Sequence, residues 1–155
     1  MSSPDEHGIR LAEIRDAEAT AQLLHDFNTE YDEPTPGPRA LARRVRELMA
    51  TGEITVLLGG AKPDGLAVLR FRPSLWSEAL EAYLAELYVV PDRRGHGLGR
   101  ALMEAAIRLA REAGADEMHL GTSEDDVAAR ALYENLGFSN RERDGSINYF
   151  YEREL

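Results

Sequence analysis

The chain has 155 residues, 43% of them hydrophobic and 30% charged, the size and balance of one globular domain and not of a disordered, collagenous or membrane protein. Lys and Arg number 18 against 28 Asp and Glu, a net charge of −10, which disfavours a sequence-independent hold on nucleic acid or an anionic membrane, since both need a cationic surface. With no Cys, disulfides, thiolate nucleophiles and Cys-ligated zinc are excluded; with no leader-like start and no run near ~18 apolar residues, a cytoplasmic location is expected.

Residues 1–7 are polar and read as a flexible N-terminus, with a single domain expected over 8–155. Ile9, Leu11 and Ile14 alternate with polar residues as in a first strand. From Asp16, placed to cap, Ala17, Leu23, Leu24, Phe27 and Tyr31 recur at helical spacing. The acidic, proline-rich residues 32–38 cannot continue that helix. A second helix carries Leu41, Val45, Leu48 and Met49 on one side and ends at Gly52. Residues 54–58 and 66–71 read as a strand pair joined by a glycine-bearing turn, and residues 82–90 as a third strong strand. Leu98, Leu102, Ala105 and Leu109 share one face of a further helix ending near Gly114, followed by a short strand around Met118 to Gly121. Residues 127–136 form a last helix behind the acidic Glu124, Asp125 and Asp126. A closing hairpin is expected about Asp144-Gly145, between residues 138–143 and the alternating Ile147, Tyr149 and Tyr151. The order β-α-α-β-β-β-α-β-α-β-β is an α/β arrangement with a mixed sheet.

Between the third strand and the helix at Leu98 runs Pro91-Asp92-Arg93-Arg94-Gly95-His96-Gly97-Leu98-Gly99-Arg100. A strand that enters a glycine-dense turn and opens directly into a helix aims backbone N–H groups and the positive helix end at one small volume, a cradle for an anion such as a phosphate. No Walker A string is present. A Rossmann fingerprint would need glycine where Arg100 stands. An ordinary turn before a helix remains the plain alternative.

Arg94, Gly97 and Gly99 match the Arg/Gln-x-x-Gly-x-Gly/Ala signature, and Ala129-Arg130-Ala131-Leu132-Tyr133-Glu134-Asn135-Leu136-Gly137-Phe138 follows at the matching separation. On these residues the chain resembles the GCN5-related N-acetyltransferase (GNAT) superfamily. The resemblance implies a twisted mixed sheet flanked by helices and acetyl-CoA as cosubstrate. It places the pyrophosphate on the loop of Arg94, Gly95, His96, Gly97, Leu98, Gly99 and Arg100, and the pantetheine arm beside Leu87, Tyr88 and Val89. It also implies that Tyr133 lies near the thioester sulfur, where a phenol can protonate the departing thiolate; packing in the core is the other reading of Tyr133. Where many relatives carry Asn, this chain has Asp126, either a cofactor contact or, more simply, a helix cap.

Glu86, on a strand otherwise carrying Leu84, Leu87, Val89 and Val90, is either a general base for an amine or a carboxylate at a wet edge. His7, His25, His96 and His119 show no paired metal-ligand spacing, so no metal is expected. The activity expected is acetyl transfer to a primary amine by direct attack in a ternary complex, with a non-catalytic CoA-binding or regulatory module, or acetylation of a protein N-terminus or lysine, as the rivals. Expected partners are acetyl-CoA, an amine acceptor and, as an open question, a second copy in a homodimer. Asp26, Glu30, Asp32, Glu33, Glu78, Glu81 and Glu86 favour a cationic acceptor of polyamine or aminoglycoside type if they converge.

Overall fold

A computed structural model describes residues 7–155, so the expected flexibility of 1–7 falls, but for His7, outside the described residues. These residues form two compact units, one ending at His119 and one spanning Leu120–Leu155.

In the first unit, strands β1 (Arg10–Leu11), β2 (Thr55–Gly59), β3 (Gly65–Pro73), β4 (Leu80–Val89) and β5 (Ala115–Leu120) lie in that order in one sheet. The pairs β1–β2, β2–β3 and β3–β4 are antiparallel. Helices α1 (Ala17–Glu30) and α2 (Pro38–Ala50) precede β2, and α3 (Leu98–Glu112) joins β4 to β5, the crossover that a mixed sheet requires. The first strand is shorter than its alternation implied: Ile14 opens a 3-10 turn, Ile14–Asp16, and Leu11 and Ile14 are exposed. Asp16 does not cap α1. Its carboxylate accepts two hydrogen bonds at 2.8 Å from the Arg10 guanidinium and one at 2.7 Å from the Glu13 amide, so it ties β1 to the helix entry instead.

One sheet face packs on α1 and α2 through Ala17, Leu23, Val45, Val56, Leu58, Leu66, Val68 and Tyr88. Side chains alternate across a strand, so Leu57, Ala67 and Leu69 belong to the other face, where α3 lies. There Leu102 and Met103 are wholly buried, each worth about 1.5–3 kcal/mol. A Cβ on Gly59 would stand 2.7 Å from Leu98 Cδ1, and one on Gly65 would stand 3.0 Å from the Tyr88 carbonyl oxygen. Lacking side chains there, β2 and β3 let the start of α3 settle onto their ends beside the end of β4.

The second unit holds α4 (Val127–Asn135). Asp126 caps it by accepting from the Ala129 amide at 3.1 Å. Gly137, at φ +94°, ends the helix, with the Phe138 amide bonded to the Tyr133 carbonyl at 3.0 Å. The expected closing hairpin is reduced to its turn. Ser146 donates to Asp144 and Glu142 to Ser146, but only the isolated bridge Arg141–Ile147 pairs the arms, and no strand forms over 138–151. Tyr149, Phe150 and Tyr151 are 67%, 70% and 85% exposed, so no apolar face is buried to hold a two-stranded ribbon together.

Candidate active site

β4 runs into a 3-10 turn, Pro91–Arg93, and then the glycine loop. Gly95 and Gly97 take φ +77° and +88°, a left-handed backbone that glycine adopts without a Cβ penalty. Gly97 is the N-cap of α3 and offers no side-chain cap, so the first amides of the 15-residue helix, which have no intrahelical partner, point into the bend of the loop with the positive end of the dipole behind them. No atom lies within 4 Å of where a Gly95 Cβ would be, and the His7 imidazole lies 3.3 Å from the corresponding point on Gly97. These residues fit a bound phosphate chain.

Arg94 is used differently from its neighbours. Its amide donates to Pro91 O, its Nε to Val89 O at 2.9 Å and its Nη2 to Glu30 at 2.8 Å, while the guanidinium stacks 5.6 Å above the Tyr88 ring. The Tyr88 hydroxyl donates to the same Glu30 oxygen at 3.0 Å, and burial foremost, then that carboxylate, push its pKa up to about 12. Arg94 therefore braces the loop against the end of α1.

The position of Glu86 follows from an irregularity in the β3–β4 ladder. Val68 pairs with Glu86 and Leu69 with Leu84, leaving Ala85 as a bulged extra residue. A bulge shifts the alternation of its strand and re-aims side chains. Here Ala85 and Glu86 both line one pocket of about 160 Å³ on the α1 and α2 face, with Leu24, Leu41, Ile54 and Val68. Arg70 and the α1–α2 loop complete it. Burial pushes the Glu86 carboxyl above its ordinary range, opposed by the positive charge of Arg70. Such a carboxylate holds a proton more firmly than an exposed one, which suits a base.

Tyr133 is buried in the second unit, its ring edge-on to Phe138 at 6.1 Å. Burial, with a smaller contribution from Asp126, pushes its phenol up to about 12, so it carries its proton throughout the neutral range. The first unit brings together Glu86, Leu87, Tyr88, Val89 and residues 94–100 along one strand and loop. Tyr133 and Asp126 share α4 and its cap in the second.

Of the acidic residues expected around an acceptor, Asp26 and Glu30 both act on the Tyr88 hydroxyl, and three have partners within the protein. Glu30 is held by Arg94, Glu81 by Arg72 at 2.5 Å, and Asp26 by Gln22; among the described residues Glu86 alone of the seven lines the pocket. Sequence reading missed Arg70 and the bracing role of Glu30, because their partners, Glu86 and Arg94, lie 16 and 64 residues away in the chain. Glu81, Glu117 and His119 bring three ligand atoms within 4.8 Å of one another at the surface.

An acetyltransferase (GNAT) family model matches residues 17–138. An aminoglycoside N(6')-acetyltransferase type 1 from Stenotrophomonas maltophilia is 30% identical over 87% of this chain and 88% of its own length. A mycothiol acetyltransferase from Beutenbergia cavernae is 39% identical over 43% of this chain, a stretch spanning only 23% of that relative. A crystal structure of an acetyltransferase from Arthrobacter sp. FB24 superposes with a TM-score of 0.90 and 46% identity, covering 100% of this chain and 99% of the other. The glycine loop, the strand before it and these matches agree: the chain belongs to the GNAT acetyltransferase family.

Proposed function

We propose that the protein transfers an acetyl group from acetyl-CoA to a primary amine by direct attack in a ternary complex. The observation that carries this is the continuity of β4: the bulge at Ala85 puts Glu86 into a pocket, and the same strand leads into the uncapped start of α3. One strand thus serves both an acceptor recess and an anion cradle.

Acetyl-CoA, when bound, supplies a thioester whose carbonyl carbon the amine attacks, and the C–S bond breaks as the amide forms. The loop amides of residues 95–99 would hold its pyrophosphate, and main-chain groups of Leu87, Tyr88 and Val89 would orient the arm and polarise the carbonyl. Glu86 takes the proton that the amine nitrogen must lose, directly or through water. Tyr133 hydrogen-bonds or gives a proton to the leaving sulfur; its phenol is protonated near neutrality, although burial makes it a weaker acid than a free tyrosine. Asp126, already bonded to the Ala129 amide, acts as a helix cap. The scheme needs no metal. Among the described residues no helix is long and apolar enough to cross a membrane, and the reading takes the enzyme as cytoplasmic, with no nucleic-acid or membrane partner.

The test is titration calorimetry with acetyl-CoA. Gly97→Glu puts bulk and negative charge where the pyrophosphate belongs and should weaken binding tenfold or more. A variant that circular dichroism shows to be folded and that binds at parental affinity removes the site from the loop.

A further inference from the structure

The pocket that receives Glu86 has a composition of its own. Its apolar walls come from Leu24, Leu41, Ile54 and Val68, and its charged members are Glu86 and Arg70, of opposite sign. The polar groups of the neighbouring loop are committed within the protein. The Asn28 amide donates to Pro34 O at 2.7 Å, and Thr35 Oγ1 accepts from the Gly37 amide at 3.2 Å and lies 3.1 Å from His25 Nδ1. Arg72, Arg93 and Arg94 each pair with a carboxylate. The Arg70 side chain is exposed and makes no hydrogen bond or ion pair among the described residues, while its charge is felt by Glu86.

We propose that this pocket accepts an amine that also bears a carboxylate, on a small apolar body: an α-amino acid with an aliphatic side chain, its amine toward Glu86 and its carboxylate on Arg70. The assignment rests on the acetyl-transfer reading above. Size and charge both support it. A cavity of about 150 Å³ lined by aliphatic groups holds one benzene-sized body, and this one, at about 160 Å³, is well below the several hundred Å³ that larger ligands fill. A polyamine would have to lay a second cation against Arg70, whose guanidinium repels it and instead matches a carboxylate with paired donors. An amine without a carboxylate would gain nothing from the guanidinium, which stays with solvent.

The experiment follows CoA release by the purified protein with acetyl-CoA and matched acceptors: leucine, isopentylamine (leucine without its carboxylate), leucine methyl ester and spermidine. The proposal expects kcat/KM for leucine at least tenfold above each of the others. It further expects Arg70→Gln to raise KM for leucine tenfold or more and erase the gap to isopentylamine, with Arg70→Lys recovering part of it. Far-UV circular dichroism and the thermal midpoint establish that the variants are folded. Equal or better turnover of isopentylamine or spermidine overturns the proposal, as does an Arg70→Gln enzyme that keeps its preference. Tight acetyl-CoA binding with no turnover of any of the four also overturns it, leaving the cofactor assignment standing. Failure to bind acetyl-CoA at all overturns the acetyl-transfer reading itself.

Discussion

Glu86 sits between two opposed influences: burial raises its pKa and Arg70 draws it back. As a base it must be deprotonated, so kcat/KM for the amine should climb with pH through a limb displaced upward from an ordinary glutamate. Glu86→Gln should lose on the order of 10²-fold and that limb with it, leaving only the limb set by the amine itself. A pH–rate profile of the variant that overlays the parental one would show that Glu86 is not the base. Tyr133 tests the other end of the reaction. With its pKa near 12 it cannot serve as a base near neutrality but can donate, so Tyr133→Phe, which keeps the ring against Phe138, should lower kcat roughly tenfold or more with acetyl-CoA affinity nearly unchanged. An unaltered kcat, where chemistry limits the rate, would make Tyr133 a core residue only.

At the level of elements, the site depends on two departures from regularity. The bulge at Ala85 places Glu86 on the α1 and α2 face while Leu84 goes to the α3 face, and the side-chain-free ends of β2 and β3 let α3 begin beside β4. The entry to α1 depends on an ion pair rather than a cap. Arg10 holds the Asp16 carboxyl well below the usual aspartate range, with the Glu13 amide next in importance. A lowered folded-state pKa means stability that is present above about pH 4, the unfolded value, and is lost as pH falls below it. Because the Arg10 side chain is 47% exposed, the pair is worth only about 1 kcal/mol after screening by solvent. Asp16→Asn should therefore be less stable than the parent at pH 7 by about that amount, and denaturant midpoints of the two should draw together progressively as pH falls below about 4. A constant gap across that range would mean that the ion pair contributes nothing.

Over the whole molecule, the elements through α4 are legible in the sequence because each is a local pattern. Period-two runs such as residues 54–58 and 66–71, the helical stripe of Leu98, Leu102 and Ala105, and the stops at Gly52 and Gly114 depend on neighbours a few residues away. The glycine loop belongs to the same class, since positive φ at Gly95 and Gly97 and a helix start at Leu98 follow from adjacent residues. The C-terminal hairpin shows where such patterns stop: Asp144-Gly145 makes its turn, but strands also need a face to bury, and Tyr149 and Tyr151 remain exposed. The acidic residues show the same limit. Seven carboxylates suggested an acidic acceptor site, yet Arg94 and Arg72 neutralise Glu30 and Glu81 across 64 and 9 residues of chain. The sequence by itself determined the order of elements, the anion-cradling loop and the family. Only tertiary structure decided that Glu86 faces a pocket, that Arg70 shares it and that Arg94 braces the loop, because a ladder bulge and long-range ion pairs arise when distant segments meet and leave no periodicity to read.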